Sequence, residues 1–254
     1  MARDLKKIIT EQKLELERLL AIDVLDRKAM TKVDAASPLA QAVVGMRRAG
    51  KSVVCRKAMK DSGLRFGYVD FDDETLAKMT ADDLDSILQT VYEVYGDVSH
   101  FLFDEVQNIN GWHLFVNRLL RNGKHVVITG SNARLLTDDL ATHLTGRHIP
   151  IPVYPFSYSE YCEWNGQESE SLWKKYFVNG GLPETFSMPD QRGYVPRFTI
   201  QYLRRTYLVG IRSGCHGASW MRRMSQCSSF RGKSHMMDLP TRQAWQAPIR
   251  CRHI

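Results

Sequence analysis

The sequence predicts an α/β fold: one parallel five-stranded sheet flanked by helices, with a helical extension after it. Three observations predict it. Five short apolar runs alternate with stretches of helical period, the pattern of βαβ units around a buried parallel sheet. A glycine-bracketed loop, "GMRRAGKS" (Gly45–Ser52), lies between the first run and a helical stretch. A later run ends in two adjacent carboxylates, Asp104 and Glu105.

The elements follow in order. Residues 3–27 read as an amphipathic helix, with Leu5, Ile8, Ile9, Leu16, Leu19 and Leu20 spaced between Lys and Glu. Pro38 in "DAASPLA" breaks that pattern. The strand runs are Ala42–Val44, Phe66–Phe71, Ser99–Phe103 and His125–Thr129. The helix of "TADDLDSILQTVYEVY" opens on a capping box, Thr80 with Asp83 three residues on. A fifth strand, His148–Val153, carries Pro150 and Pro152, which cannot donate ladder hydrogen bonds, so it belongs at a sheet edge. From "YPFSYSEYCEW" to about Thr206 the reading is helical, interrupted by "NGGLPE". The predicted organisation is a helical segment over 1–36, a core over 37–155, a helical extension over 156–206 and an irregular basic tail over 207–254.

Composition narrows the function classes. A chain of 254 residues holds one or two domains. No apolar run approaches the roughly 18–20 residues a membrane span needs. The charged start lacks the apolar centre of a secretory signal, and five cysteines without a CxxC pair favour reduced thiols, so a cytoplasmic home is expected. The net charge of +7 is not spread along the chain. Residues 211–254 hold eight basic residues and one acidic, leaving 27 of the chain's 35 basic and 27 of its 28 acidic residues elsewhere. Nucleic acid is therefore a partner only through this tail. Its Cys215, His216, Cys227, His235, Cys251 and His253 lack metal-ligand spacing.

Gly45 to Ser52 fits G-x-x-x-x-G-K-[ST] in full, the signature of a P-loop NTPase. Such glycines let the backbone curl so that successive N–H groups point at phosphate oxygens. Gly45, Arg47, Arg48, Ala49, Gly50, Lys51 and Ser52 are the expected ATP-binding residues. Lys51 would reach the β- and γ-phosphates, and the Ser52 hydroxyl would ligate Mg²⁺. Arg47 and Arg48 would raise the local positive potential or pair with acidic residues such as Asp72 and Asp73. Asp104 would hold Mg²⁺, and Glu105 would orient and deprotonate the attacking water. The alternative for this pair is a solvated helix cap. In "VVITGSN", Ser131 first and Asn132 second could hydrogen-bond the γ-phosphate or the water; capping of the next helix would use them equally well. Arg147 in "LTGRHI", placed at a subunit edge, would stabilise transferring phosphoryl charge and would imply a homo-oligomer; otherwise it is a surface charge.

Seven stretches, "VVGMRRAGKS", "YVDFDDE", "FLFDEVQNINGWHLFVNRLL", "VVITGSNARLL", "LTGRHIPI", "PFSYSEY" and "NGGLPETF", resemble in their order one family. It is that of prokaryotic AAA-type ATPases known mainly as ATP-binding proteins, which pair an N-terminal P-loop domain with a C-terminal domain of unknown function. The resemblance covers roughly residues 1–206. It implies strand order 5-1-4-3-2 and ATP at Gly45 and Gly50–Ser52. It also implies a Walker B pair at Asp104-Glu105, a sensor at Ser131 and an arginine-finger-like role for Arg147. After "QYLRRTY" the pattern stops, and the expectation is a chain truncated there, with an out-of-frame or replaced tail from about Leu208. The rival expectations are a nucleotide-responsive interaction protein or a DNA-associated protein with negligible turnover, and a truncated inactive product.

Overall fold

Alternation along the strands decides which side chain meets which helix. In the computed structural model, which describes residues 5–76, 79–131, 144, 146–166 and 168–188, Ala42 and Val44 of one strand, Phe101 and Phe103 of a second, and Val126 and Ile128 of a third share one hydrophobic cluster. Their neighbours in sequence, Val43, Leu102 and Val127, belong to another. These are the two faces of one sheet.

The strands are β1 (Ala40–Gly45), β2 (Phe66–Asp70), β3 (His100–Asp104), β4 (His125–Ser131) and β5 (His148–Val153). All pair in parallel, in the order β2-β3-β4-β1-β5. This is the predicted order, and the proline-bearing β5 lies at the edge, bonded to β1 alone. Helix α1 (Leu5–Ala21) comes first, α2 (Lys51–Asp61) follows β1, α3 (Leu84–Tyr95) follows β2 and α4 (Trp112–Arg121) follows β3. The cluster with Phe101 and Phe103 takes Leu84, Ile87 and Val91 from α3 and Phe115, Val116 and Leu119 from α4. The opposite cluster takes Val54, Cys55 and Met59 from α2. Truncating Phe101 or Phe103 to Ala should cost about 3–5 kcal/mol.

Helix α1 covers the other edge. Ile9 enters one cluster and Leu16 the other, so the helix wraps β2 rather than lying on one face. Between them the buried Gln12 amide accepts from the Asp70 N–H at 3.1 Å and donates to the Asp70 carbonyl at 3.1 Å. A side-chain amide thus stands in for a neighbouring strand and blunts the edge. The helix is shorter than the predicted 3–27: it stops at Ala21, where Ile22, Asp23, Val24 and Asp26 are poor helix formers. The capping box at Thr80 is present, its N–H donating to Asp83 Oδ2 at 2.9 Å, but it opens a 3₁₀ turn (Ala81–Asp83) that leads into α3.

After β5 come α5 (Tyr158–Asn165), α6 (Glu170–Asn179) and a 3₁₀ turn, Pro183–Ser187. "NGGLPE" is the break between α6 and that turn. All described residues fall in one unit, Met1–Arg204. The expected helical stretch over 189–206, the basic tail over 207–254 and Asn132 lie outside the described residues. Among the described residues, no helix is long and apolar enough to cross a membrane. Of the five cysteines, Cys55 is buried and Cys162 half-buried, both as free thiols.

Candidate functional site

A parallel sheet carries all its strand ends of one kind to one edge. Gly45 ends β1, Asp104 ends β3 and Ser131 ends β4, with Gly45 and Ser131 opposite each other in register. The loop from Met46 to Gly50 leaves β1 at this edge and enters α2. A Cβ on Gly45 would sit 2.2 Å from the Val153 carbonyl oxygen, so no larger residue fits there. Gly50 has φ 91°, a left-handed conformation open to glycine at little cost. The loop's close curl therefore explains both glycines of the motif.

The polar groups converge. Lys51 is 5% exposed, and its Nζ lies 3.5 Å from Glu105 Oε1 and 3.4 Å from the Met46 carbonyl. Asp104 is 3% exposed; its Oδ1 accepts the Ser52 hydroxyl at 2.9 Å and the Thr129 hydroxyl as well. The Thr129 hydroxyl also accepts the Glu105 N–H at 3.0 Å. Glu105 has φ 48°, a strained value for a non-glycine residue, and Gln107 Nε2 donates to its Oε2. Arg48, in the loop, has φ 65°. Burial, and next the Asp104 charge, push the Asp70 carboxyl at the end of the neighbouring β2 up to about 7. The same two causes raise the Cys55 thiol behind the loop.

The donor set suits Mg²⁺. Ser52 and Asp104 offer hard oxygen donors already within hydrogen-bonding distance of each other. Among the described residues, no three His, Cys, Asp or Glu side chains cluster to hold an ion unaided. Phosphate oxygens and water would complete the shell, the usual habit of this cation.

The structure brings together Gly45, Ala49, Gly50, Lys51, Ser52, Asp104 and Glu105. Arg47 is exposed on the loop. Arg48 pairs with Glu184 of the last 3₁₀ turn rather than with the expected Asp72 or Asp73. Asp72 takes Asn108, and Asp73 takes Gln12 and Thr75. Ser131 ends its strand at the site edge, but the β4 residue bonded to the acidic pair is Thr129. Arg147 is exposed and stands before β5, where its carbonyl accepts the Ala40 N–H at 2.9 Å. Ala40 pairs with His148, so Arg147 is level with Leu39 and stands six residue steps before Gly45, roughly 20 Å along the sheet. It does not join this chain's own site.

Sequence reading missed Thr129, Gln107, Glu184 and, behind the loop, Arg27. Arg27 is 6% exposed and donates from Nη1 to the Ala49 carbonyl at 2.9 Å. The one sequence cue was the S-x-x-E at Ser157–Glu160, a capping box whose glutamate also binds Arg27.

Part of this chain matches known proteins. Residues 37–162 match the family described as "AAA domain". An uncharacterised protein of Methanocaldococcus jannaschii is 28% identical over 165 residues, 59% of this chain and 36% of that protein. One from Haemophilus influenzae is 34% identical over 154 residues, 56% of this chain and 38% of that protein. The chain thus matches under two-fifths of the length of these relatives. Among solved structures, a Walker-type ATPase of Pyrococcus abyssi shares 16% identity, covers 82% of this chain and 81% of its own, and has TM-score 0.42. The AMPPCP-bound DnaA of Aquifex aeolicus shares 16% identity, covers 85% and 63%, and has TM-score 0.42. The glycine loop, the acidic strand end and the parallel order all fall within the matched span, and residues 37–162 of this chain are an AAA-type P-loop domain.

Proposed function

We propose that this chain binds ATP with Mg²⁺ at the β1–α2 loop and hydrolyses the β–γ bond. The observation that carries this is convergence. Lys51 and Ser52 from α2 meet Asp104, which ends β3, and Glu105, which follows it, with Ser52 to Asp104 at 2.9 Å and Lys51 to Glu105 at 3.5 Å. The loop's backbone N–H groups and Lys51 would bind the phosphates. Ser52 and Asp104 would hold Mg²⁺, which neutralises charge on the phosphate oxygens when bound. Glu105 would orient a water and take its proton. Ser131, at the end of β4, would contact the γ-phosphate. Arg147 would act only in a neighbouring copy's site, because it stands at the far end of its own sheet. In this reading residues 37–155 are the nucleotide-binding core, and 156–206 begin a further domain.

One observation favours a second reading, an ATP-responsive interaction protein with negligible turnover. Glu105 is already engaged at both carboxylate oxygens, Oε1 by Lys51 and Oε2 by Gln107, so acting as a base would require it to exchange a partner for water. Turnover of wild type beside Glu105→Gln, with ATP affinity measured for both, separates the two. Hydrolysis predicts equal affinity and a loss of about 100-fold or more in turnover. Wild-type turnover no higher than that of Glu105→Gln favours the switch. Failure of the wild type to bind ATP removes both.

A further inference from the structure

Arg27 belongs to no motif, yet its guanidinium engages the loop, the chain leaving β5 and α5 at once. Its Nη1 donates to the Ala49 carbonyl at 2.9 Å, inside the phosphate loop. Its Nη2 donates to the Tyr154 carbonyl at 2.8 Å, on the chain leaving β5. Its Nε donates to Glu160 Oε1 at 2.8 Å, and Nη2 reaches Glu160 Oε2 at 3.4 Å. The guanidinium carbon lies 4.5 Å from the centre of the Phe156 ring. A planar fork satisfies this set; a lysine's single point of charge does not.

The contact to Ala49 fixes more than a carbonyl. In a trans peptide the C=O and the following N–H point to opposite sides. Holding the Ala49 carbonyl on Arg27 therefore turns the Gly50 N–H away from Arg27, on a residue whose left-handed φ leaves it otherwise free to flip. Arg27 also backs the loop, its Nη1 lying 3.6 Å from where a Gly50 Cβ would be.

Two of its partners, Glu160 and Phe156, belong to the helical extension. Glu160 Oε2 accepts the Ser157 N–H at 2.8 Å and hydroxyl at 3.0 Å, so one carboxylate both caps α5 and orients Arg27. Burial pushes the Glu160 carboxyl up, but hydrogen bonds from Arg27 and Ser157 outweigh this and hold it below its ordinary value. Phe156, beneath the guanidinium, donates its N–H to the Gly181 carbonyl at 2.6 Å and accepts the Tyr176 hydroxyl of α6 at 2.8 Å.

We infer that Arg27 is a positioning residue for the phosphate loop. It sets the Ala49–Gly50 peptide plane for anion binding and makes that setting depend on α5 through Glu160. This rests on the reading of the loop as a triphosphate site. Free-energy coupling is reciprocal, so bound nucleotide should in turn tighten α5 against the loop.

The test is MgATP affinity by calorimetry, and KM from turnover, for full-length wild type, Arg27→Lys and Glu160→Gln, well below the melting temperature of each. Global destabilisation of a protein that remains folded leaves these constants unchanged, so they separate positioning from mere support. Arg27→Lys is expected to raise Kd and KM together by about tenfold, within the range of a coupling between sites. Glu160→Gln, which keeps the shape and loses the charge, is expected to raise them less. A folded Arg27→Lys with wild-type affinity overturns the inference and leaves the ATP site standing. If Arg27→Lys does not fold, Glu160→Gln decides, and wild-type affinity there overturns it. Wild-type protein that binds no ATP removes the nucleotide reading and this inference with it.

Discussion

At the C-terminal ends of β1 and β3, the ionisable side chains Lys51 and Asp104 are buried, and Arg48 and Glu105 hold positive φ without being glycine. At the opposite end of the same sheet, β1 and β5 begin at Ala40 and His148, and Arg147 beside them is exposed. Both ends are made by the same ladder. Burying ions and straining backbone costs stability, and such costs concentrate where a ligand will be held. The contrast teaches that the costly features, buried ions and strained backbone, gather at the edge with the glycine loop, where the proposed nucleotide site lies, while the opposite edge terminates strands.

The strongest way to break the contrast is to remove the carboxylate at its centre. Asp104→Ala should lower Mg²⁺-dependent turnover by about 100- to 1,000-fold, the scale of losing a preorganised charge. Titrating Mg²⁺ against turnover should show the wild-type dependence flattened. A variant with wild-type turnover would move the metal elsewhere. Thr129→Val comes next. It keeps the shape but leaves the half-buried Glu105 N–H without its acceptor, a loss of about 1 kcal/mol in stability. Denaturant melts and turnover together read it, and turnover should fall about tenfold as the Glu105 backbone relaxes, less than for loss of the base itself.

A smaller effect sharpens the comparison through pH. The Glu160 carboxyl titrates below its ordinary 4.5 in the folded chain, because its hydrogen bonds outweigh burial. A depressed carboxylate contributes stability that is present above the unfolded value and lost as pH falls through the folded one. Wild type should therefore melt above Glu160→Gln at neutral pH, with the gap closing below about pH 4. A gap independent of pH would contradict the ionised pair with Arg27. The smallest effect belongs to the other end of the sheet. Arg147→Ala should change ATP affinity by less than about twofold and stability by under about 0.5 kcal/mol. A fall in turnover that depends on protein concentration would assign Arg147 to a neighbouring copy's site.

What sequence could show follows the same division. The strand ends were legible because the glycine loop opens directly after the apolar run ending at Val44, and Asp104 directly follows the run ending at Phe103. Pro150 and Pro152 placed β5 at the edge because a missing N–H is a local property. Thr129 was not legible. It and Ser131 fall on the same face of β4, and only the register, with Phe103 opposite Ile128, sets Thr129 beside Asp104. Arg27 was hidden for a similar reason. Its partners Tyr154 and Glu160 lie 127 and 133 residues away, and no spacing in the chain announces such a contact. Arg48 carried a local charge signal, but its acidic partner, Glu184, comes from a turn that only the tertiary fold brings to the loop.

The central claim is that the loop after β1 and the carboxylates after β3 form one nucleotide site. The most direct measurement is a calorimetric titration of MgATP into wild type and into Lys51→Ala, side by side. The account predicts saturable, single-site binding to the wild type and none to the variant. Equal affinity in the two proteins, or no binding to the wild type, would contradict it.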